Sequence, residues 1–285
     1  VARYRLLLAY DGTDFHGWQR QEPPGLEPLR TVQGELQRVV QDVVREPLTV
    51  VGASRTDSGV HARGQVAAFD AADMRVPLER LPDALNARLP RDIEVRGASA
   101  AADDFNPIGG CISKCYSYTL VHGDARVHMP GRAGVFERRF TAAVRPQLDA
   151  LAMRAAAGFI VGTHDFRAFA HDPDARETTV RTVHTLTVIE RAPGLVRVEI
   201  SGSGFLHHMV RIVVGTLVEV GRGRIVPSDV PAIIAGRERS AAGRTMPPEG
   251  LCLEWIHYPA EHGEAAGGEV GGAAPDGAAQ GEAGT

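Results

Sequence analysis

From Phe205 to Val220 the chain is apolar almost throughout, and the pattern predicts a helix. A helix that is hydrophobic on nearly every side has to be enclosed by the rest of the protein. Within it stands Arg211. Burying a guanidinium is expensive unless a carboxylate answers it. The fold must therefore bring an acid from elsewhere against this helix. His207, His208, Arg211 and Gly215 fall at i, i+1, i+4 and i+8, one stripe of the predicted helix. Adjacent histidines on a helix point apart, so the spacing predicts no metal site at His207 and His208.

The best candidate for the missing acid is Asp57. It lies in a polar stretch, Ala53 to Gln65, bracketed by the apolar runs Leu48–Val51 and Val66–Phe69. That pattern reads as strand, loop, strand. Asp57-Ser58-Gly59 is turn chemistry, because Asp and Ser bond nearby backbone and Gly accepts positive φ. Arg55 is two residues before Asp57. In extended backbone positions i and i+2 face the same way, which predicts one pocket holding both, with His61 and Gln65 at its far rim. An Arg and an Asp in a turn also form ordinary solvated pairs, so the loop alone does not fix a role.

The remaining elements follow in order. Tyr4–Tyr10 reads as a strand closed by Asp11-Gly12, and Thr31–Arg45 as a helix capped by Thr31. Between them, Trp18 and Arg20 share a loop. Trp18 is expected to pack, and Arg20 either is solvated or faces a nucleic-acid phosphate. Leu48–Ala53 and Gln65–Phe69 are strands, Leu78–Leu89 a short helix, and Ile93–Ala98 a strand. Lys114–Val121 alternates and is β-rich, with Tyr116 and Tyr118 on one face. Arg126–Arg139 reads as a loop and Gln147–Ile160 as a helix burying Leu148, Leu151, Ala152, Ala155 and Phe159. Gly162–Ala170 reads as a loop. Arg181–Glu190 and Gly194–Ser201 form a hairpin, Val226–Gly236 a short helix, and Leu251–His257 a last strand.

Strand, helix, strand, strand recurs in each half. This predicts an α+β architecture of two similar units, sheets antiparallel, helices on one face. The linker signal Asp103–Pro107 divides residues 1–105, which carry the Asp57 loop, from residues 106–259. Residues 260–285 are rich in Gly, Ala and Glu, cannot bury apolar surface, and are expected to be disordered.

Charge bears on partners. The net charge is −4, but five acids lie in that tail and the body without them carries +1. A near-neutral body does not exclude an RNA partner. The three cysteines, Cys111, Cys115 and Cys252, form no CxxC pair, which argues against a disulfide framework or a zinc site. No signal peptide is seen at Val1 and no apolar run is long enough to span a bilayer. The expectation is a cytoplasmic protein with no membrane partner.

Several blocks together resemble the TruA type of tRNA pseudouridine synthase. They are Tyr10-Asp11-Gly12 with Gly17–Gln21, Arg55–Ala62 with Gly64-Gln65-Val66, and Asn86–Pro90 with Asp92-Ile93. Lys114, Tyr116 and Tyr118, then His208–Arg211 within Phe205–Gly215, and Glu249-Gly250-Leu251 complete the set. The resemblance spans Tyr4 to Pro259. It implies the pseudouridine synthase fold, its sheets joined into one extended sheet. It implies a cofactor-free, metal-free isomerase that converts uridine to pseudouridine in the anticodon stem-loop of tRNA, at positions 38 to 40, and works as a homodimer. Asp57 would be catalytic, with Arg211 its partner. Tyr116 would contact the base, and Arg55 would fill the space left by the flipped uridine. His61, Gln65, Arg20 and Lys114 complete the expected substrate contacts.

The chemistry of those residue types agrees. Breaking a glycosidic bond needs a carboxylate to attack or steady the positive sugar centre. A nearby guanidinium favours its ionised form. A stacked base has to be flipped to be reached, and an aromatic wall excludes water from the intermediate. One stretch departs from the family. Where Ala-Arg-Phe-Ser-Ala is usual, the chain has Pro107-Ile108-Gly109-Gly110-Cys111. The competing reading is therefore a catalytically idle tRNA-binding or tRNA-folding module. A hydrolase using Asp57 with His61 is a third, but no nucleophile–base–orienter set is legible.

Overall fold

The opening apolar run becomes strand β1 (Ala2–Tyr10), whose Leu6 and Leu8 are wholly buried. We describe it from a computed structural model covering residues 1–25, 27–123, 134–173 and 177–260. Thr31 caps the helix α1 (Val32–Val44) by accepting from the Gly34 N–H, and Val32, Leu36, Val39 and Val40 form its buried face.

Strands β2 (Val51–Gly52), β3 (His61–Ala71) and β4 (Ile93–Ala101) follow in the first half, with helix α2 (Leu81–Asn86) before β4. The second half contributes β5 (Ser113–His122), β6 (Ala142–Val144), β7 (Gly162–Asp165), β8 (Val180–Ala192), β9 (Leu195–Gly202) and β10 (Leu251–His257). Its helices are α3 (Ala150–Ile160), α4 (Met209–Gly221) and α5 (Val230–Gly236). The result is a mixed α+β protein. One large sheet runs β4-β1-β3-β10-β5-β9-β8-β7, with β2 added to β3 and β6 to β5.

The expectation of antiparallel sheets needs one correction. β10 pairs antiparallel with β5 but parallel with β3, and β5 also pairs parallel with β6. The last strand among the described residues thus lies in the middle of the sheet, between strands from the two halves. This seam sets Tyr116 of β5 opposite Leu253 and brings β3 within one strand of it.

The face expected for α3 is also corrected. Leu151 and Phe159 are exposed, while Ala150, Met153, Ala156, Ala157 and Ile160 are buried. Ala155 is exposed as well, and alanines together with Met153 and Ile160 line the side of α3 that packs on the end of α4. A Cβ on Gly221 would come 3.0 Å from Met153. The buried stripe is rotated from the expected one, and the close approach of α4 at Gly221 accommodates Met153 there.

The predicted 205–220 helix begins late. Met209 is its first residue, and His208 precedes it in the left-handed region at φ 60°. Met209, Ile212, Val213, Val214, Leu217 and Val218 are fully buried, as the apolar run requires. Gly215 allows residues 243–246 to cross α4 at contact, since a Cβ there would lie 1.8 Å from the Arg244 carbonyl oxygen.

The stretch 162–170 forms β7 and a 3-10 turn rather than a plain loop. Most of the 126–139 loop, and the tail from residue 261, lie outside the described residues. Among the described residues no helix is long and apolar enough to cross a membrane. All three cysteines are free, and burial pushes the Cys115 and Cys252 thiols up to about 12, which leaves them unreactive.

Candidate active site

The Asp57 loop is held by backbone. The Trp18 N–H donates to the Thr56 carbonyl at 3.0 Å, and the Ser58 hydroxyl donates to the Phe15 carbonyl. The Val60 N–H closes the turn on the Asp57 carbonyl, with Gly59 at φ +79°. Gly12 permits this docking, because a Cβ there would sit 2.0 Å from the Val60 oxygen. Trp18 is buried and packs on Gly52 of β2, as expected of it.

Gln65, predicted at the pocket rim, is wholly buried and its amide is fully used. Its Oε1 accepts from the Ser54 and Val66 N–H groups, and its Nε2 donates to the Ser54 carbonyl and the Tyr10 hydroxyl. It has no group left for a ligand. It fixes the root of the loop instead, with Tyr10 and Thr56, whose hydroxyls meet at 2.8 Å.

Asp57 and Arg211 meet. Arg211 Nη1 donates to Asp57 Oδ2 at 2.9 Å, and Arg211 Nε donates to the Met246 carbonyl at 2.6 Å. The Arg211 side chain is 12% exposed and that of Asp57 28% exposed. The guanidinium is covered and the carboxylate is open to a ligand.

Two further groups close on Asp57. His208 Nε2 is 3.2 Å from Oδ2 and His207 Nε2 is 3.6 Å from Oδ1. Burial pushes the His208 imidazole down to about 4, against the pull of the Asp57 charge, so it is neutral at physiological pH. The expectation that these two rings point apart is overturned. They precede α4 rather than sit on it, and the left-handed turn at His208 brings their centroids to 3.9 Å. No local signal in the sequence marks His208 for that conformation. Asp57, His207 and His208 together are the group among the described residues that could hold a metal ion.

The wall beside Asp57 is Tyr116. Its hydroxyl shares a 2.9 Å hydrogen bond with Ser54, three residues before Asp57, and Phe205 meets its ring edge-on at 5.5 Å. Burial pushes its phenol up to about 12. The Ser54 bond lowers it and the nearby Asp57 charge adds to the push. Lys114 Nζ lies 3.5 Å from the Ser54 hydroxyl, and burial lowers its pKa. Ser54 and Phe205 did not emerge from the sequence. Their signals were adjacency to the loop and an aromatic before the late helix.

Three predicted residues are not brought to this cluster. His61 faces away. Leu8 pairs with Gln65 but Tyr10 pairs with Ala62, so one residue of β1, Ala9, opposes two of β3, Arg63 and Gly64. This bulge at Arg63-Gly64 puts His61 on the opposite face from Gln65. There His61 lines a second cleft with Asp11, Arg63, Glu94, Phe140 and Arg197. Its Nδ1 accepts the Gly12 N–H at 3.0 Å, and burial lowers its pKa. The Asp11 carboxylate 3.3 Å away therefore faces a neutral ring. Arg55 is exposed, and among the described residues it forms no ion pair with Asp57. Arg20 is exposed and pairs with Glu22.

In sum, the site is a carboxylate open to solvent, anchored by a covered guanidinium, beside a buried neutral phenol. Such a set can meet a developing positive centre and hold a planar base.

The chain as a whole is similar to known proteins. The family model described as tRNA pseudouridine synthase matches residues 7–107 and 156–259. The tRNA pseudouridine synthase A of Moorella thermoacetica is 43% identical over 254 residues, which is 89% of this chain and 98% of the relative. That of Geobacter sulfurreducens is 42% identical over 254 residues, again 89% and 98%. That of Ruminiclostridium cellulolyticum is 37% identical over 258 residues, 90% of this chain and all of the relative.

Proposed function

This chain belongs to the tRNA pseudouridine synthase family, whose members are isomerases acting on uridine in tRNA, and from that premise we propose how its own residues do the work and where. The substrate is a uridine of the anticodon stem-loop, at positions 38 to 40. The uridine is flipped out of the stack, and Asp57 meets the sugar as the C1′–N1 bond breaks. The free uracil turns against the Tyr116 ring. A C1′–C5 bond then forms, C5 loses its proton and N1 takes one up, so the sum of atoms is unchanged. No cofactor enters this balance.

The observation that carries the reading is the Asp57–Arg211 pair, 2.9 Å long, with the carboxylate partly exposed and the guanidinium more deeply covered. Arg211 holds the carboxylate in one orientation, which is the positioning that such a reaction needs. Arg55, exposed beside the loop, is the group to enter the gap left by the flipped uridine. Its exposure supports this, since a side chain that must move into RNA cannot be locked in the protein. Arg20 and Lys114 are further RNA contacts. His61 and Gln65 are left out of the substrate contacts, on the geometry above.

The two halves, residues 1–105 and 106–259, are similar αβ units that share the seam at β10. The working form is a homodimer in the cytoplasm, where its tRNA substrate resides.

The test is to incubate the purified chain with unmodified tRNA and map pseudouridines by base-specific chemistry. Modification at positions 38 to 40, absent with Asp57→Asn, is expected. Modification confined to another arm would overturn the site assignment. Binding of tRNA without any turnover would favour the idle module. Sedimentation of the same sample tests the dimer.

A further inference from the structure

Asp57, His207 and His208 converge at the open edge of the pocket. Asp57 Oδ1 lies 3.6 Å from His207 Nε2, Oδ2 lies 3.2 Å from His208 Nε2, and one donor atom of each falls within 4.8 Å of the others. We propose that these three side chains form a binding site for a borderline divalent transition metal, with zinc as the reference ion, and that an ion bound there shuts out the target uridine. The first half stands on geometry alone. The second rests on the reading of Asp57 as the catalytic carboxylate.

The donor set decides the class of ion. Two imidazoles and one carboxylate suit zinc, cobalt, nickel or copper, whereas magnesium and calcium favour all-oxygen shells. With metal–ligand bonds of about 2.0–2.1 Å, tetrahedral donors stand roughly 3.3 Å apart. The two histidine–carboxylate separations, 3.6 and 3.2 Å, are close to that, and the third falls within 4.8 Å, so side-chain adjustment of about 1 Å brings the three donors to one ion. Three protein ligands leave a fourth position for water.

The surroundings support the site. Arg211 Nη1 holds the Asp57 oxygen that faces away from His207, the kind of outer hydrogen bond that ligating carboxylates usually have. The guanidinium also opposes a second cation, so binding should be moderate. His207 is half exposed and gives the ion a way in. His208 is fixed by its backbone at the start of α4. To ligate through Nε2 it moves its ring proton to Nδ1, which is buried and lacks a partner in any case, so the only bond given up is the one to Asp57. The exposed His171 ring lies 5.3 and 4.8 Å from the other two and lines the approach to the site.

A metal on Asp57 ties up the oxygen that has to meet the sugar, and it occupies the mouth through which the nucleotide enters. The synthase would then be sensitive to free zinc.

The test uses the untagged full chain and Zn2+ alone, by titration calorimetry and by competition with a chromophoric chelator. One ion per chain with micromolar affinity is expected, with no detectable binding of Mg2+ at the same site. His207→Ala, His208→Asn and Asp57→Asn should each weaken it at least tenfold. Asn tolerates the left-handed backbone at His208. His184→Ala, on an exposed residue of β8, should change nothing. Absence of saturable binding, or affinity unmoved in all three variants, overturns the site. Turnover on tRNA is measured in parallel. It should fall as the site fills and return with chelator. Full turnover on a zinc-loaded chain overturns the exclusion and leaves the site. A chain inactive on every tRNA would count against the catalytic reading, while the calorimetry still decides the metal.

Discussion

Arg211 Nη1 reaches Asp57 Oδ2 at 2.9 Å across 154 positions of sequence, and the same guanidinium uses Nε to hold the Met246 carbonyl. One side chain thus fastens three segments: the loop after β2, the start of α4 and the stretch entering β10. Arg211→Ala should remove both bonds and leave a partly covered carboxylate alone. We expect a loss of about 2–4 kcal/mol in stability, read as a lower urea midpoint. Turnover should fall by roughly a hundredfold or more. Arg211→Lys should not restore it, because one nitrogen cannot stand in the places of both Nε and Nη1. A lysine variant with wild-type turnover would show that charge alone is needed.

Asp57→Asn separates chemistry from binding. The amide oxygen can still accept from Arg211, so folding and tRNA affinity should stay close to wild type. Turnover should drop by about four orders of magnitude or more, as for loss of a nucleophile. Gel-shift affinity beside pseudouridine mapping checks both. A large loss of affinity would instead make Asp57 a binding residue.

Gly215 tests the packing beneath the site. A Cβ there would lie 1.8 Å from the Arg244 oxygen, and the adjoining Gly243 lies so close that a Cβ on it would meet the Gly215 carbonyl. Both obstacles are backbone and cannot swing away. Gly215→Ala should cost about 1–3 kcal/mol or more and shift Arg211 with its helix, so stability and turnover fall together. Gly158→Ala in α3 is the control, since a Cβ there meets nothing within 4 Å. It should stabilise by about 0.5–1 kcal/mol through helix propensity. Thermal melts of the pair decide.

His61 gives a pH signature. Its folded pKa is lowered by burial from an ordinary value near 6.5, although Asp11 pulls the other way. As pH falls below that value, the unfolded chain takes up the proton first, so stability falls with it. Protonation must also break the Gly12 N–H bond to Nδ1. The urea midpoint should therefore drop between pH 7.5 and 5.5, and less steeply in His61→Gln. His208 titrates in the same sense, so some slope remains. Identical slopes in both proteins would mean that folding does not shift the His61 pKa.

The parts legible in the sequence were those set by local chemistry or by an energetic demand. Asp57-Ser58-Gly59 announced a turn, and an apolar helix around Arg211 required an acid. The missed parts depended on pairing and on neighbours. A bulge at Arg63-Gly64 turns His61 away, yet nothing in Ala62 to Gln65 marks it apart from one glycine. Alternation alone therefore placed His61 and Gln65 together. His208 takes a left-handed turn because the chain must come off β9 and enter α4 against Asp57, which is a tertiary requirement. Leu151 and Phe159 outrank alanine on any hydrophobicity scale, yet the stripe through Met153, Ala157 and Ile160 is the one that is buried, a choice made by the packing partner and not by local sequence. The parallel seam of β10 joins segments almost two hundred residues apart and leaves no local trace.

Tyr116 offers the sharpest division between a surface and a reagent. Its phenol stands near 12, so it is neutral wherever the protein is folded under ordinary conditions, and it shares its hydroxyl hydrogen bond with Ser54. A neutral phenol tied to a serine is poorly placed to take a proton, whereas its ring, steadied edge-on by Phe205, is well placed to hold uracil. Tyr116→Phe should keep the ring and lose one hydrogen bond, lowering stability by about 1 kcal/mol. Turnover should fall by about tenfold at most, with tRNA affinity unchanged. Tyr116→Ala should lose turnover by about a thousandfold, because nothing then retains the detached base or keeps water from the sugar. If Phe were as inactive as Ala at equal affinity, the hydroxyl itself would have to act on the base, and the Ser54–Lys114 contact behind it would become the path for its proton.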